Sequence, residues 1–322
     1  MSTIAATRFQ MVQLVFPEHT NLRGTLYGGR MMSWIATAGT LAASRFARGL
    51  VVLGAMDDLD FLTPVHLGEI VTVDAQVECV GRASLEVGVE VYSESPRLGV
   101  RRRTTFSHLA FIALDERERP RPVGQTITPG SADEEAVYAA AVARKAARAA
   151  RVRAGGRGVT PSPPTRHTVA ISRFVMPEDA LSGTLMFAGK LLGTLDEAAA
   201  ITAVRYSRGP VVTGSLDSVY FYHPLRVGQI ADITAALTYV GRSSMEIGVQ
   251  VEAEEPRTGR RHHTCTAYLT MVHVREDGRP APVPALSPTA AGEQRLRDEA
   301  QARWTQRKAR VARLREGAGL HA

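Results

Sequence analysis

Asp196 and Asn21 are the two side chains whose types and settings point most directly to chemistry. Asp196 interrupts an apolar helical pattern of Leu191, Leu192, Leu195, Ala198, Ala199 and Ala200, where an unpartnered carboxylate is expensive to bury. A carboxylate held in such a place can take a proton from water or attack an electrophilic carbonyl itself. From this segment alone the position also fits a helix face turned to solvent, and Glu197 beside it reads as an exposed or hydrogen-bonded acid. Asn21 lies in a loop ahead of Gly24, where asparagine commonly serves turn geometry and can equally orient a water or a carbonyl. Gly28-Gly29 adds a third part, because the first N–H groups of a helix are unpaired donors at the positive end of its dipole. One such donor aimed at a developing oxyanion is worth about 3 kcal/mol, although a tight turn would also account for two glycines.

A repeat connects these residues. About one hundred residues recur at a constant offset of 160, so that Phe16 to Gly29 answers to Met176 to Gly189. The loop amide is Asn21 in copy one and Leu181 in copy two. In the helix the relation reverses, and Ala36 answers to Asp196. If the copies pack as a pseudo-twofold dimer, the loop of copy one lies over the helix of copy two and Asn21 meets Asp196. The opposite corner then keeps Leu181 and Ala36, with no acid, base or amide. Ligands commonly occupy such interfaces.

The elements that must position these groups follow one order in both copies. The segments Arg30 to Ala47 and Lys190 to Ser207 are apolar nearly all round, which predicts helices wrapped by protein. Val51 to Phe61 and Val211 to Phe221 read as strands that stop before Pro64 and Pro224. Glu69 to Val80 and Ser84 to Ser93 follow, with Gln229 to Val240 and Ser244 to Ala253 as their counterparts, and Thr104 to Leu114 and Thr264 to Val274 complete each sheet. Leu85, Val87, Val89 and Val91 alternate with Glu86 and Glu90, placing the apolar set on the core face and the acids outward. The fold class is α+β, with a buried helix and four or more antiparallel strands per copy. Asp133 to Arg153 reads as an Ala/Arg-rich helix ending at Gly155-Gly156-Arg157-Gly158, with Pro161 to Pro164 leading into copy two. A matching helix, about Glu293 to Glu316, follows Pro280 to Pro288. The expected domains are 6–116, a linker with its helix at 117–164, 165–278, and a Pro-rich segment with a basic helix at 279–322.

Composition bounds the function classes. With 44% hydrophobic and 22% charged residues the chain of 322 residues reads as globular, and length alone suggests two domains. The run Met11 to Phe16 is broken by Pro17, Glu18 and His19 and offers no secretory signal, nor does any segment reach the length of a membrane span. Cys79 and Cys265 occupy non-equivalent positions, which argues against a shared disulfide framework and for a reducing, cytoplasmic setting. The net charge of +7 resides largely in Arg144 to Arg157 and Arg295 to Arg315, which read as solvated helix faces. Aromatic content of 6% leaves little for base stacking, so nucleic acid is disfavoured as a partner. His262-His263 is adjacent rather than spaced along a helix face, so no metal site is expected.

The run Gly24-Thr25-Leu26-Tyr27-Gly28-Gly29, the segment Asp60 to Gly68, and Val80-Gly81-Arg82-Ala83-Ser84-Leu85-Glu86 resemble the hotdog-fold acyl-CoA thioesterases. Copy two resembles them through Leu195-Asp196-Glu197-Ala198, Asp217 to Gly228 and Gly241-Arg242-Ser243-Ser244-Met245-Glu246. The duplicated form is similar to the tandem cytosolic acyl-CoA hydrolases. The resemblance implies a double hotdog, each domain a long buried helix wrapped by an antiparallel sheet, with one appended helix per domain. It implies acyl-CoA hydrolysis with coenzyme A as part of the substrate and no other cofactor, and a homo-oligomer built as a trimer of double hotdogs. It assigns catalysis to Asn21, Asp196 and the Gly29 amide, with Gly28 beside them. It assigns coenzyme A contacts to Gly241, Arg242, Ser243 and Ser244 and, with Ala83 substituted, to Gly81 and Arg82; on the residues alone both segments read as plain hairpin turns. Arg30 and Lys190 are further candidates for an anionic ligand. Ala36, Leu181 and Ala188 depart from the two-site pattern and imply one live site per chain. Three rivals remain: a non-catalytic acyl-CoA sensor, which would bind ligand and leave it intact; a hotdog hydratase, which would need a histidine near the helix; and a basic scaffold for nucleic acid, which would show salt-sensitive duplex binding.

Overall fold

The computed structural model describes residues 2–153, 165–287 and 291–317. The first half runs β1 (Phe9–Leu14), α1 (Gly28–Ala47), β2 (Val51–Met56), β3 (Leu59–Asp60), β4 (Ile70–Val80), β5 (Ser84–Ser95) and β6 (Val100–Ala113), then α2 (Ala132–Arg153). The second half runs β7 (Thr168–Phe174), β8 (Ala180–Ser182), β9 (Leu185–Met186), α3 (Ala188–Ser207), β10 (Val211–Leu216), β11 (Val219–Tyr220), β12 (Ile230–Val240), β13 (Ser244–Glu255), β14 (Arg260–His273) and α4 (Ala291–Gly317). Each half is the wrapped-helix hotdog unit that the resemblance implies. The expected turn at Gly155 to Gly158 and the segment Pro161 to Pro164 lie outside the described residues, as does Pro288.

The alternation in β5 does what its period requires. Leu85, Val87, Val89 and Val91 are at most 1% exposed, and they pack with Met32, Ile35 and Ala42 of α1 in one core. Glu86 points away from α1 as expected, yet it is buried, because α2 covers that face and Arg148 meets Glu86 at 2.8 Å and Asp57 at 3.0 Å. Copy two repeats the arrangement: Arg307 of α4 meets Asp217 at 2.5 Å and Glu246 at 2.9 Å. Burial pulls the Arg307 guanidinium pKa down, and Asp217 and Glu246 override that and hold it above its ordinary value. The appended helices are therefore only in part the solvated charged faces expected from composition. Their key arginines are buried clamps on the sheet, because carboxylates turned off the core face need a partner once a helix lies over them.

Val51 to Phe61 is not one strand. The ladder breaks at Asp57-Asp58, and β3 crosses to the other half, where Asp60 pairs with Ser215 and Leu59 with Leu216. Reciprocally β11 joins β2, with Val219 opposite Met56 and Tyr220 opposite Ala55. The two six-stranded sheets, β1-β4-β5-β6-β2-β11 and β3-β10-β14-β13-β12-β7, thus each end on a strand from the other half. This exchange pairs edges that would otherwise be open and ties the halves together. Asp58 reinforces it by accepting from the Ser218 N–H and hydroxyl, both at 2.7 Å. Strands β1 and β7, absent from the sequence reading, form the far edges, β1 beside β4 and β7 beside β12. Both cysteines are buried and free.

Removing one partner of a buried ion pair leaves an uncompensated charge, which typically costs roughly 3 kcal/mol or more, whereas an exposed pair contributes about 1 kcal/mol at most. Arg148→Ala should therefore lower unfolding stability in urea far more than Arg119→Ala, whose guanidinium is 65% exposed beside Asp115. Equal losses in the two variants would refute the clamp.

A composite candidate active site

Asp196 lies two turns into α3 with 0% exposure, and three groups hold it there. Helices α1 and α3 cross on glycines: a Cβ on Gly29 would fall 3.0 Å from Gly193 Cα and 3.1 Å from Asp196 Cβ. This close approach lets the Gly29 N–H donate to Asp196 Oδ2 at 2.7 Å. From β10, the Thr213 hydroxyl donates to Oδ1 at 2.8 Å. Gly28 makes room for that threonine, since a Cβ there would sit 2.5 Å from Thr213 Oγ1. The Tyr27 phenol lies against the same carboxylate, and burial, followed by the charges of Asp196 and Glu197, raises its pKa above the ordinary phenol value. Glu197 itself is exposed. The glycine pair is thus required by helix crossing and by Thr213, and neither residue has positive φ.

These contacts change the part expected of the Gly29 amide. It bonds the carboxylate and is not left open for a ligand oxygen. The Gly28 N–H takes no protein acceptor among the described residues, and Gly28 lines a cavity of about 920 Å³ beside the cluster. Asn21 and Thr213 line the same cavity from opposite domains, with Met271 and Val272 from β14 and Trp304 from α4. Asn21 does not bond Asp196 directly: its Oδ1 accepts from the Arg23 N–H at 2.9 Å, and its Nδ2 donates to Thr25 Oγ1 at 2.8 Å. This local turn holds the amide at the wall and leaves one amide hydrogen for a ligand.

The two Gly-Arg turns join β4 to β5 and β12 to β13, closed by Gly81 N–H to Ser84 O at 2.7 Å and Gly241 N–H to Ser244 O at 2.8 Å. The cavity lining includes neither turn. Gly241 instead abuts Trp304, whose Nε1 would be 3.8 Å from a Cβ on the glycine, while Gly81 abuts Lys145 of α2. Arg82 and Arg242 are exposed, as is Arg30, and Lys190 lies 3.7 Å from Asp179. Among the described residues no three His, Cys, Asp or Glu side chains converge as a metal set, and no described helix is long and apolar enough to cross a membrane.

The opposite corner is closed. Where copy one offers Asn21, Thr25 and Tyr27, copy two has Leu181, Leu185 and Phe187; Asp196 becomes Ala36 and Thr213 becomes Leu53. The space left there is about 20 Å³. Thr213, Tyr27 and Thr25 escaped the sequence reading, although the same comparison of copies marks all three.

Burial pushes the Asp196 carboxyl up to about 6, against the lowering effect of the Thr213 and Gly29 hydrogen bonds. An acid whose folded pKa exceeds its unfolded value favours the folded state while protonated, so its contribution is complete below pH 4 and is lost as the pH rises through about 6. A shift of this size corresponds to roughly 3 kcal/mol. In urea titrations, the stability of Asp196→Ala relative to the parent should therefore rise by about that amount between pH 4 and pH 7. A difference independent of pH would refute the raised value.

Comparison with known proteins agrees with this architecture. The thioesterase superfamily profile matches residues 23–100 and again 183–260. A rat protein named cytosolic acyl coenzyme A thioester hydrolase is 28% identical over 316 residues, covering 93% of this chain and 83% of the relative. An uncharacterized acyl-CoA thioester hydrolase of Bacillus subtilis is 38% identical over 136 residues, covering 42% of this chain and 79% of that protein. Among solved structures, an acyl-ACP thioesterase from Bacteroides thetaiotaomicron shares the fold at a TM-score of 0.53 and 11% identity, covering 84% of this chain and 99% of that one. With the profile matched once in each half and the Bacillus subtilis relative covered over most of its length, the chain belongs to the thioesterase superfamily in a tandem, double-hotdog form.

Proposed function

We propose that this chain hydrolyses acyl-CoA thioesters to the free acid and coenzyme A at one composite site per chain. The observation that carries the reading is the asymmetry of the two corners. A buried carboxylate with bonded donors stands beside a cavity of about 920 Å³, and its pseudo-symmetric counterpart is apolar and filled to about 20 Å³. The names of the relatives from rat and Bacillus subtilis support the same substrate class. A non-catalytic sensor would have no use for a carboxylate that burial penalises, and a hotdog hydratase would need a histidine that the helix lacks.

Asp196 serves as general base. Thr213 and Gly28 line the cavity wall and Asp196 stands directly behind them with both oxygens already accepting hydrogen bonds. That arrangement favours a water bridging to the substrate over direct attack by the carboxylate to give an anhydride. The water oxygen bonds the thioester carbonyl carbon as its proton passes to Asp196, and the C–S bond then breaks as Asp196 returns that proton to the leaving sulfur, giving the free acid, the coenzyme A thiol and an ionised Asp196. Asn21 orients the water or carbonyl with its remaining amide hydrogen. The Gly28 N–H, at the positive end of α1, takes the place expected of Gly29 and stabilises the oxyanion. The chemistry uses the chain's own groups and the coenzyme A of its substrate. The rat relative is named as cytosolic, which supports a cytoplasmic setting; the trimer of double hotdogs rests on the family resemblance.

Asp196→Ala should lower thiol release from acyl-CoA by about 10³-fold or more, in the range of a lost general base, with the fold intact by circular dichroism. Asn21→Ala should reduce it roughly tenfold to a hundredfold, as one lost hydrogen bond at the reacting centre allows. Ala36→Ser and Leu181→Ala should change it by less than about twofold, since their corner holds no chemistry. Because the base must be ionised, kcat/KM should rise with pH through about 6. Full activity in Asp196→Ala would remove the proposal.

A further inference from the structure

We infer that Trp304 and Lys308 of α4 form the subsite for the nucleotide end of coenzyme A, an aromatic ledge for the adenine with a cation for its phosphates. This deepens the proposed function and rests on it.

Helix α4 is not a loose appendage. Arg303 is 2.7 Å from Glu246, Arg307 is 2.5 Å from Asp217, and Arg310 reaches across to copy one, 2.7 Å from Asp60. These clamps fix which face of the helix borders the cavity, and Trp304 and Lys308 both line it. Trp304 is half-buried against Tyr239, ring centroids 6.0 Å apart, and adjoins Gly241. One side of the indole is thereby supported while the residue still borders the cavity. Lys308 places its Nζ over the same indole, 5.2 Å from the ring centroid. It is exposed and has no ion pair among the described residues, whereas Arg303, Arg307 and Arg310 on the same helix are all paired. An indole at the cavity wall in contact with a cation that has no carboxylate partner among the described residues suits a purine carrying phosphate groups, the ammonium being free to turn from the ring to a phosphate. The apolar wall of Met271 and Val272 offers no such chemistry and suits an acyl chain instead.

Comparison of the appended helices separates what holds the fold from what meets a ligand. Arg144 and Arg148 of α2 stand where Arg303 and Arg307 stand in α4, and both pairs clamp sheet carboxylates. At the intervening and following positions the helices diverge: Trp304 answers to Lys145, and Lys308 answers to Ala149. The clamp recurs because both sheets need it. The ledge occurs on α4, which borders the cavity beside Asp196, and has no counterpart at the matching positions of α2, the same asymmetry that distinguishes Asp196 from Ala36.

The test compares two substrates with the same acyl group, acyl-CoA and S-acyl pantetheine, which lacks the nucleotide. Trp304→Ala and Lys308→Ala should each raise KM for acyl-CoA roughly tenfold, the scale of one lost stacking or phosphate contact, while kinetics on S-acyl pantetheine stay as in the parent. Inhibition by adenosine 3′,5′-bisphosphate should weaken by a similar factor, and Trp304→Phe should largely restore both readouts. Unchanged KM for acyl-CoA, or an equal rise with both substrates, would overturn the subsite. A parent chain that releases no thiol from either substrate would instead overturn the proposed hydrolysis.

Discussion

The structure is organised around one buried carboxylate bonded across a domain boundary. Asp196 comes from the second domain, and the N–H that meets it at 2.7 Å comes from Gly29 of the first. That bond requires the backbones of α1 and α3 to approach as they do at Gly29, where a Cβ would fall 3.0 Å from Gly193 Cα and 3.1 Å from Asp196 Cβ. The close crossing in turn requires the two sheets to be registered on each other, and the exchange of β3 and β11 supplies that registration. A displacement of either domain by an ångström would leave a charge in the core with fewer partners. The halves are therefore held as one body by the same constraint that makes the site.

Duplication explains why such a costly group occurs once. A symmetric pair of corners would bury two carboxylates at this crossing, each disfavoured at neutral pH. Here the second corner has Ala36, Leu53 and Phe187 in place of Asp196, Thr213 and Tyr27, and the space between them is nearly filled. Features that hold the fold recur in both halves: the wrapped helix, the hairpins, and the arginine clamps from α2 and α4, whereas the Gly29–Gly193 crossing has Gly189 and Ser33 at the matching positions. Features that meet the cavity do not recur. This division assigns roles by comparison within a single chain.

Much of the fold was legible in the sequence. Helices α1 and α3 were placed to within two residues because apolar residues recur on every side of them, α2 and α4 because Ala/Arg-rich runs are bounded by glycine and proline, and the hairpins because alternation and Gly-Arg turns mark them. Other parts were not. Strand β1 is an edge strand with Val12 and Leu14 exposed, so its period does not separate core from solvent. The break at Asp57-Asp58 depends on a partner strand from the other half, which no local pattern records. Arg148 and Arg307 looked like solvated charge because the carboxylates that bury them are far away in the chain. At the candidate site, the opposed loss of Asn21 and Asp196 pointed to the corner that holds the open cavity, with Asn21 at its wall and Asp196 bonded to Thr213 and Gly29 beside it. The expectation that they touch failed because Thr25 and the Arg23 N–H engage the amide first. Thr213 was passed over as an ordinary strand residue, although Leu53 at the matching position carries the signal.

The cavity draws its walls from both domains and from α4, with Met271 and Val272 on an apolar wall and Lys308 of α4 also among its lining residues. Asp196 lies behind the part of that wall formed by Gly28 and Thr213, bonded to Thr213 and to the Gly29 N–H. The most direct test of one composite site per chain is calorimetric titration with a thioether analogue of acyl-CoA that cannot be hydrolysed. A single live corner predicts one analogue bound per chain; two per chain, with the second binding event lost in Leu53→Trp, would contradict it.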